Sequence, residues 1–388
     1  MSGTLVLGLL LLLAWITLAF FWHDFWRMDV RLPPAGTAPP AAGGRWPDVV
    51  AIVPARNEEE HLHTALASLV GQDYPGRFAI VAVNDSSTDR TGAIAREMAA
   101  RSGGRLLAID APEKPAGWMG KLWALKTGLD ALPLTGIAAP RYVWFTDADI
   151  CHEADVLRRL VHRAESDRRA LVSTMVRLHC RHFWEKLLIP AFVYFFFLLY
   201  PPRATARSDR YAAGAAGGCL LVRREALEDI GGPDAIRGEV IDDCALARHL
   251  KDRGYRLWLG LGESSRSLRR YPRLADIAAM IMRSAYAQLH HNPFLALLAV
   301  AGVIFAFVLP AAHVPGFVFG DSVAHFPGLV AFGLMTATAL PIVRFCNLPV
   351  RWAFALPLAA LFYAAFTALS VLRHHLGITP RWRGRRVA

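Results

Sequence analysis

The sequence predicts an α/β domain, a mostly parallel sheet between helices, flanked by transmembrane helices. Three observations carry that expectation. Short apolar runs alternate with helical patterns between residues 49 and 166, the pattern of parallel strands joined by covering helices. Uncharged, strongly apolar segments stand towards both ends of the chain. The composition, 54% hydrophobic and 19% charged over 388 residues, is too apolar for an ordinary soluble protein, so membrane segments must share the chain with an aqueous domain.

Met1 to Trp22 carries no charged side chain and is long enough for the roughly 20 residues of a bilayer crossing. It lacks the basic n-region and the small-x-small site of a cleaved signal peptide, so residues 1–26 read as a transmembrane helix. Arg27 and Arg31 follow directly, and the positive-inside rule then puts the next segment in the cytoplasm. Residues 27–48, rich in Pro, Ala and Gly from Leu32 to Asp48, read as a linker.

The folded domain is expected over residues 49–290. Its strand and helix pairs are Val49–Val53 with Glu58–Gly71, Phe78–Val83 with Thr88–Arg101, Arg105–Ile109 with Met119–Leu132, and Tyr142–Thr146 with Glu153–Ser166. Leu187 to Tyr200 is uncharged and aromatic, but its 14 residues are short for a span, so an interfacial helix at about 184–202 is expected. The domain resumes at Tyr211–Val222, with a helix at about Val240–Arg253 and a strand at Tyr255–Leu259. Residues 291–388 form a C-terminal membrane region with apolar segments at Pro293–Ala312, Val323–Val343 and Trp352–Leu372. Three crossings would leave the tail outside, yet it carries Arg373, Arg381, Arg383, Arg385 and Arg386. One segment is therefore expected not to span, and the middle one, with Pro327 and Pro341, is the weakest.

The formal charge of +11 could suggest nucleic acid as a partner. Only five of the 43 basic residues are lysine, and no aromatic-interleaved basic stripe appears, so the arginines read as headgroup contacts and topology signals, with no nucleic acid expected. Cys151, Cys180, Cys219, Cys244 and Cys346 are isolated singles, which indicates neither a zinc site nor a disulfide framework.

The chemistry lies in acidic motifs at the ends of predicted strands. Pro54-Ala55-Arg56-Asn57-Glu58 closes the first strand, where a dinucleotide-binding unit would show Gly-x-Gly-x-x-Gly; Asn57 also fits a plain helix N-cap. Asn84-Asp85 ends the second strand, where Asp85 can accept a hydrogen bond from a base N–H, and Ser87 or Thr88 fits a helix cap. Asp147-Ala148-Asp149 follows a very apolar strand, and its hard oxygens suit Mg²⁺ or Mn²⁺ bridging to a diphosphate. Asp149 is expected as the direct ligand and Asp147 as a ribose or outer contact. Glu239 and Asp242-Asp243 open a further helix, where acids also serve simply as dipole partners.

Pro-Ala-Arg-Asn-Glu at 54–58, Asn-Asp-Ser-Ser-Thr-Asp at 84–89, Asp-Ala-Asp at 147–149 and the pair Asp242-Asp243, in this order, resemble an inverting glycosyltransferase of family 2 with the GT-A fold. The resemblance implies that Asp85 contacts the uracil ring of a UDP-sugar and that Pro54, Ala55 and Glu58 shape the uridine pocket. It implies a nucleotide or phosphate contact from Lys121, in Gly120-Lys121-Leu122-Trp123-Ala124-Leu125-Lys126, where Lys126 departs from the family's Asn. Gly217-Gly218-Cys219 resembles the acceptor-side loop, with Gly218 beside the sugar; a plain tight turn is the alternative. Asp243 is implied as the base that deprotonates the acceptor hydroxyl, with Asp242 orienting it.

Met280 to Tyr286 lies where processive relatives carry Gln-x-x-Arg-Trp. Only Arg283 matches, which implies single-sugar transfer with Arg283 as a diphosphate contact; as a bare residue it equally suits an anchor on a membrane-proximal helix. Within the family, Val-Pro-Ala-Arg-Asn-Glu at 53–58, Gly-Trp-Met-Gly-Lys-Leu-Trp-Ala at 117–124 and Arg-Ser-Ala-Tyr-Ala-Gln-Leu at 283–289 are most like the hopene-associated glycosyltransferase group. That likeness implies a hopanoid-like lipid acceptor at the membrane. The alternatives are a polysaccharide synthase, a polyprenyl-phosphate or ceramide-type sugar transferase, and an inactive membrane scaffold.

Overall fold

The computed structural model describes residues 2–33, 45–209 and 211–378 with two short strands beyond, Arg381–Trp382 and Arg385–Arg386. Residues 34–44 of the expected linker, and Arg383 of the basic tail, lie outside the described residues. The chain divides into a sheet unit, Asp29–Leu178 with Ala204–Arg269, and a helical unit, Met1–Met28, His179–Arg203 and Arg270–Val387. The sheet unit thus closes at Arg269, where the sequence suggested a domain running to residue 290.

Eight strands make the sheet: β1 Val49–Ala55, β2 Phe78–Asn84, β3 Leu106–Asp110, β4 Tyr142–Thr146, β5 Ile150–His152, β6 Leu171–Arg177, β7 Cys219–Arg223 and β8 Leu257–Ser267, in the order β3-β2-β1-β4-β7-β6-β8-β5. The first four pair in parallel, as expected, and β6 is parallel to β8. The other half is mixed, because β7 runs antiparallel between β4 and β6 and β5 runs antiparallel to β8. Four of the sheet's seven pairings are thus parallel, as expected of a mostly parallel sheet, with the mixed pairing confined to its second half, and β5 and β6 are strands that periodicity did not reveal.

The helices are α1 Gly3–Ile16, α2 Leu62–Val70, α3 Thr91–Arg101, α4 Gly120–Asp130, α5 Val156–Ser166, α6 Phe183–Leu199, the short α7 Pro202–Thr205 and α8 Arg224–Asp229, α9 Asp242–Asp252 and α10 Leu274–Ala285, followed by apolar helices to His375. All seven residues of β1 are buried, and successive side chains point to opposite faces. Val49, Ala51, Val53 and Ala55 pack with Leu62, Leu66 and Leu69 of α2 and Leu157 and Leu160 of α5. Val50 and Ile52 pack on the other face with Leu122 and Leu125 of α4 and Leu246 and Leu250 of α9. Burial on both faces explains why the strands carrying the motifs read as continuous apolar runs rather than as alternating ones.

Gly3–Phe21, Phe183–Thr205, Pro293–Phe319, Ser322–Phe345 and Val350–His375 are each long and apolar enough to cross a membrane. The 14-residue limit on the aromatic segment does not hold. Its helix begins at Phe183 because buried Glu185 closes a capping box and accepts the backbone N–H groups of Arg181, His182 and Tyr271, so the charges bounding the apolar run belong to the first turn. Nor is the middle C-terminal segment interrupted: Ser322–Phe345 is one helix of 24 residues with Pro327 and Pro341 inside it. The indole N–H of Trp15 donates to Ala306 O at 2.6 Å, and the Tyr194 hydroxyl lies 2.8 Å from Thr338 Oγ1.

Candidate active site

The ends of β1 and β2 are latched by reciprocal hydrogen bonds across two turns. Asn57 and Ser86 both take left-handed backbone, with φ of 50° and 49°, a conformation that costs a non-glycine residue energy and persists only where its surroundings enforce it. Here the Asn57 side chain accepts Thr88 N–H at 2.9 Å, Asn57 N–H donates to Ser87 Oγ at 3.1 Å, and Glu58 N–H donates to Thr91 Oγ1 at 2.7 Å. Asn57 is therefore not a helix cap; α2 starts later, at Leu62, without a side-chain cap. Ser87 and Thr88 likewise serve this latch, and α3 starts at Thr91. Asp85 N–H donates to Ala55 O at 2.8 Å, which sets buried Asp85 beside the buried end of β1 that holds Pro54 and Ala55.

Lys121, on the first turn of α4, gathers the acidic motifs of β4 and α9. Its Nζ lies 3.1 Å from Asp147 Oδ1 and 3.2 Å from Asp242 Oδ2. Burial works against its charge, but Asp147, Asp242 and Asp243 together hold its pKa well above the ordinary lysine value. Burial raises the Asp147 carboxyl, with Asp149 and Asp242 adding to the shift and Lys121 opposing it. Asp243 Oδ2 accepts Gly217 N–H at 2.7 Å and Oδ1 accepts Cys244 N–H at 2.8 Å. Burial and the neighbouring Asp242 charge push Asp243 up to about 6, against Lys121 and those two N–H groups. A carboxylate has about four lone-pair sites, so Asp243 keeps room to take a proton.

A side chain on Gly217 would crowd the charged cluster. A Cβ there would stand 2.9 Å from Lys121 Nζ and 3.2 Å from Asp243 Oδ2, whereas the nearest neighbours of a Cβ on Gly218 would be Val176 and Ile150 at 3.4 and 3.5 Å. Of the two glycines it is thus Gly217 that faces the charged cluster, and Gly218 faces the core. Gly217→Ala is expected to cut turnover by roughly 10- to 100-fold through displaced charges, while the thermal midpoint stays near wild type because Gly217 does not need a left-handed backbone. Turnover close to wild type in a rate assay would show that the spacing of Lys121 and Asp243 is not critical.

Asp149 and Glu58 are joined by Arg269, which the motifs gave no reason to single out. Arg269 Nε donates to Asp149 Oδ2 at 2.7 Å and Nη2 donates to Glu58 Oε1 at 2.6 Å. Asp147 and Asp149 offer hard oxygens from one turn, and among the described residues no group of three or more His, Cys, Asp or Glu side chains forms a cage. One or two carboxylates without a cage is the donor set of a Mg²⁺ or Mn²⁺ that completes its shell with phosphate oxygens and water, so these residues fit such an ion.

Behind the Asp147-Ala148-Asp149 turn lies a buried polar relay. Thr146 Oγ1 donates to Gly218 O at 2.9 Å and so accepts from His152 Nε2 at 2.8 Å, which leaves His152 Nδ1 to accept the Ser265 hydroxyl at 2.8 Å. Burial lowers His152 to about 3, so the ring is neutral and the relay braces the turn without titrating near neutral pH.

The structure brings Asp147, Asp242, Asp243 and Lys121 together, and separately Asp149 and Glu58. Lys126 pairs with Asp130 one turn along its own helix, Glu239 is exposed, and Arg283 stands on α10 in the helical unit.

A family model described as Glycosyltransferase like family 2 matches residues 47–270. An N-acetylglucosaminyltransferase of Mesorhizobium japonicum is 37% identical over 67 residues, 17% of this chain and 16% of that protein. The probable glycosyltransferase YdaM of Bacillus subtilis is 37% identical over 83 residues, 21% of this chain and 19% of that protein. The chain therefore aligns with less than a fifth of either relative. Mannosyltransferase PcManGT from Pyrobaculum calidifontis, solved in complex with GDP-Man and Mn²⁺, superposes with a TM-score of 0.59 at 21% identity, covering 95% of this chain and 99% of that one. At that identity the likeness speaks for the fold, which is GT-A.

Proposed function

Because this chain belongs to the family described as Glycosyltransferase like family 2, we propose that it is a membrane-bound inverting enzyme that moves one sugar from a UDP-sugar to the hydroxyl of a hopanoid-like lipid. The observation that carries the reading is Asp243, a carboxylate raised to about 6 at the start of α9, beside the Lys121 cluster that Asp147 and Asp242 complete. Asp243 takes the acceptor hydroxyl proton as that oxygen attacks the anomeric carbon from the face opposite the leaving diphosphate, which inverts the configuration. Asp242 and Lys121 orient Asp243. A Mg²⁺ or Mn²⁺ held by Asp149, with Asp147 beside it, would neutralise the charge developing on that diphosphate. Asp85, Glu58, Pro54 and Ala55 are assigned to the nucleoside. Gly218 is assigned to the acceptor loop and Arg283 to the diphosphate by resemblance alone.

A lipid acceptor is supported by the five apolar helices. The Phe183–Thr205 helix leaves the sheet after β6 and returns before β7, and these strands pair side by side. A helix bounded by neighbouring strands of one sheet starts and ends on the same side of a bilayer, and an extended return through lipid would leave backbone groups unsatisfied. That connection supports an interfacial helix, and Arg27 and Arg31 after the first span support a cytoplasmic face of a bacterial inner membrane. The missing Gln and Trp around Arg283 support single-sugar transfer.

The test is mass spectrometry of the products of purified protein in detergent, offered UDP- and GDP-sugars with a membrane lipid extract. One sugar added to a lipid, with UDP released, is expected. A ladder of sugar masses would contradict single transfer, use of GDP-sugars alone would overturn the donor, and nucleotide release without a glycolipid would overturn the acceptor.

A further inference from the structure

We propose that Arg269 is a resident cation that holds Asp149 until a divalent metal takes its place, and that it then turns to the donor diphosphate, so that metal and donor are taken up together. This rests on the reading of Asp149 as the metal's ligand. Glu58 and Asp149 are only 7% and 8% exposed, and two carboxylates withdrawn from water need a positive charge between them. The Arg269 guanidinium supplies it with two charge-assisted bonds, 2.7 Å to Asp149 and 2.6 Å to Glu58.

A metal on Asp149 would duplicate that charge. Two cations on one nearly buried carboxylate repel strongly where water screens them poorly, so the arrival of one favours the departure of the other. The departure requires only a side-chain movement. Leu268 N–H donates to Asp149 O at 2.8 Å and Arg269 N–H donates to Ser267 Oγ at 3.2 Å, which fixes the backbone on both sides of the exchange. Glu58 keeps its own bond to Nη2 and acts as the pivot. What Asp149 releases is the Nε–H of a planar guanidinium, a donor suited to phosphate oxygens. Before the donor arrives, Arg269 therefore shields Asp149 from metal; with the donor present, the same charge has a better place to go.

Arg269→Gln removes the competitor and the phosphate ligand at once, and the two effects have opposite signs. Calorimetry on the full chain in detergent should show Mn²⁺ alone binding about tenfold tighter than to wild type, and UDP at saturating Mn²⁺ binding at least about tenfold weaker, the scale of one charge-assisted bond. Arg269→Lys, which keeps the charge without the planar guanidinium, should hold wild-type Mn²⁺ affinity and lose part of the UDP affinity. Mn²⁺ affinity unchanged in Arg269→Gln, or Mn²⁺ and UDP affinities falling together in both variants, would overturn the exchange and leave Arg269 a structural clamp. If wild type binds no Mn²⁺ with or without UDP, the assignment of Asp149 to the metal fails and the exchange fails with it.

Discussion

Asp243→Asn is expected to lower turnover by about 10² to 10⁴, the usual contribution of a general base, while UDP-sugar binding persists. Asn cannot take the acceptor proton. It also cannot accept both N–H groups that Asp243 now holds, from Gly217 and Cys244, so a loss of about 1–3 kcal/mol in stability should accompany the kinetic effect. The pH profile separates the two. In wild type, kcat/KM should rise about tenfold per pH unit up to about 6 and level off above it, because the carboxylate that burial and Asp242 have raised must lose its proton before it can act as a base. That limb should be missing in Asp243→Asn. Asp242→Asn should be milder and keep the limb. A dead Asp242 variant beside a near-normal Asp243 variant would mean that the roles are exchanged.

Asp149→Ala should abolish metal-dependent UDP-sugar binding, since a single missing carboxylate leaves the diphosphate charge uncompensated. The substitution also frees Arg269 from one of its partners while Glu58 retains it. Metal-independent binding of UDP should therefore persist or strengthen in calorimetry even as the response to Mn²⁺ disappears. An unchanged response to Mn²⁺ would remove Asp149 from the metal.

What the sequence disclosed and what it hid have one physical explanation. Asp85 and the Asp147-Ala148-Asp149 turn were legible because each follows a strand buried on both faces, so an apolar run points directly at its carboxylates. Asp242 and Asp243 were legible as acids opening a helix. Arg269 was not, because its partners Asp149 and Glu58 lie 120 and 211 residues away in sequence, and no local pattern encodes such a pairing. The latch of Asn57 onto Ser87 and Thr88 was hidden for the same reason, so residues that resemble caps turn out to be cross-links between strand ends. Strand β5 is only three residues long, and the polar half of β8, from Glu263 to Ser267, carries none of the apolar signal that marks its first half. The mixed sheet follows from those pairings: an antiparallel neighbour such as β7 looks no different in sequence from a parallel one.

The central claim is a single displacement at the anomeric carbon with Asp243 as the base, and the anomeric configuration of the product tests it most directly. Proton NMR of the glycolipid formed from an α-linked UDP-sugar should show a β-linked sugar, whichever sugar and lipid are used. An α-linked product would contradict the account, because a single displacement from the face opposite the leaving diphosphate cannot retain the configuration.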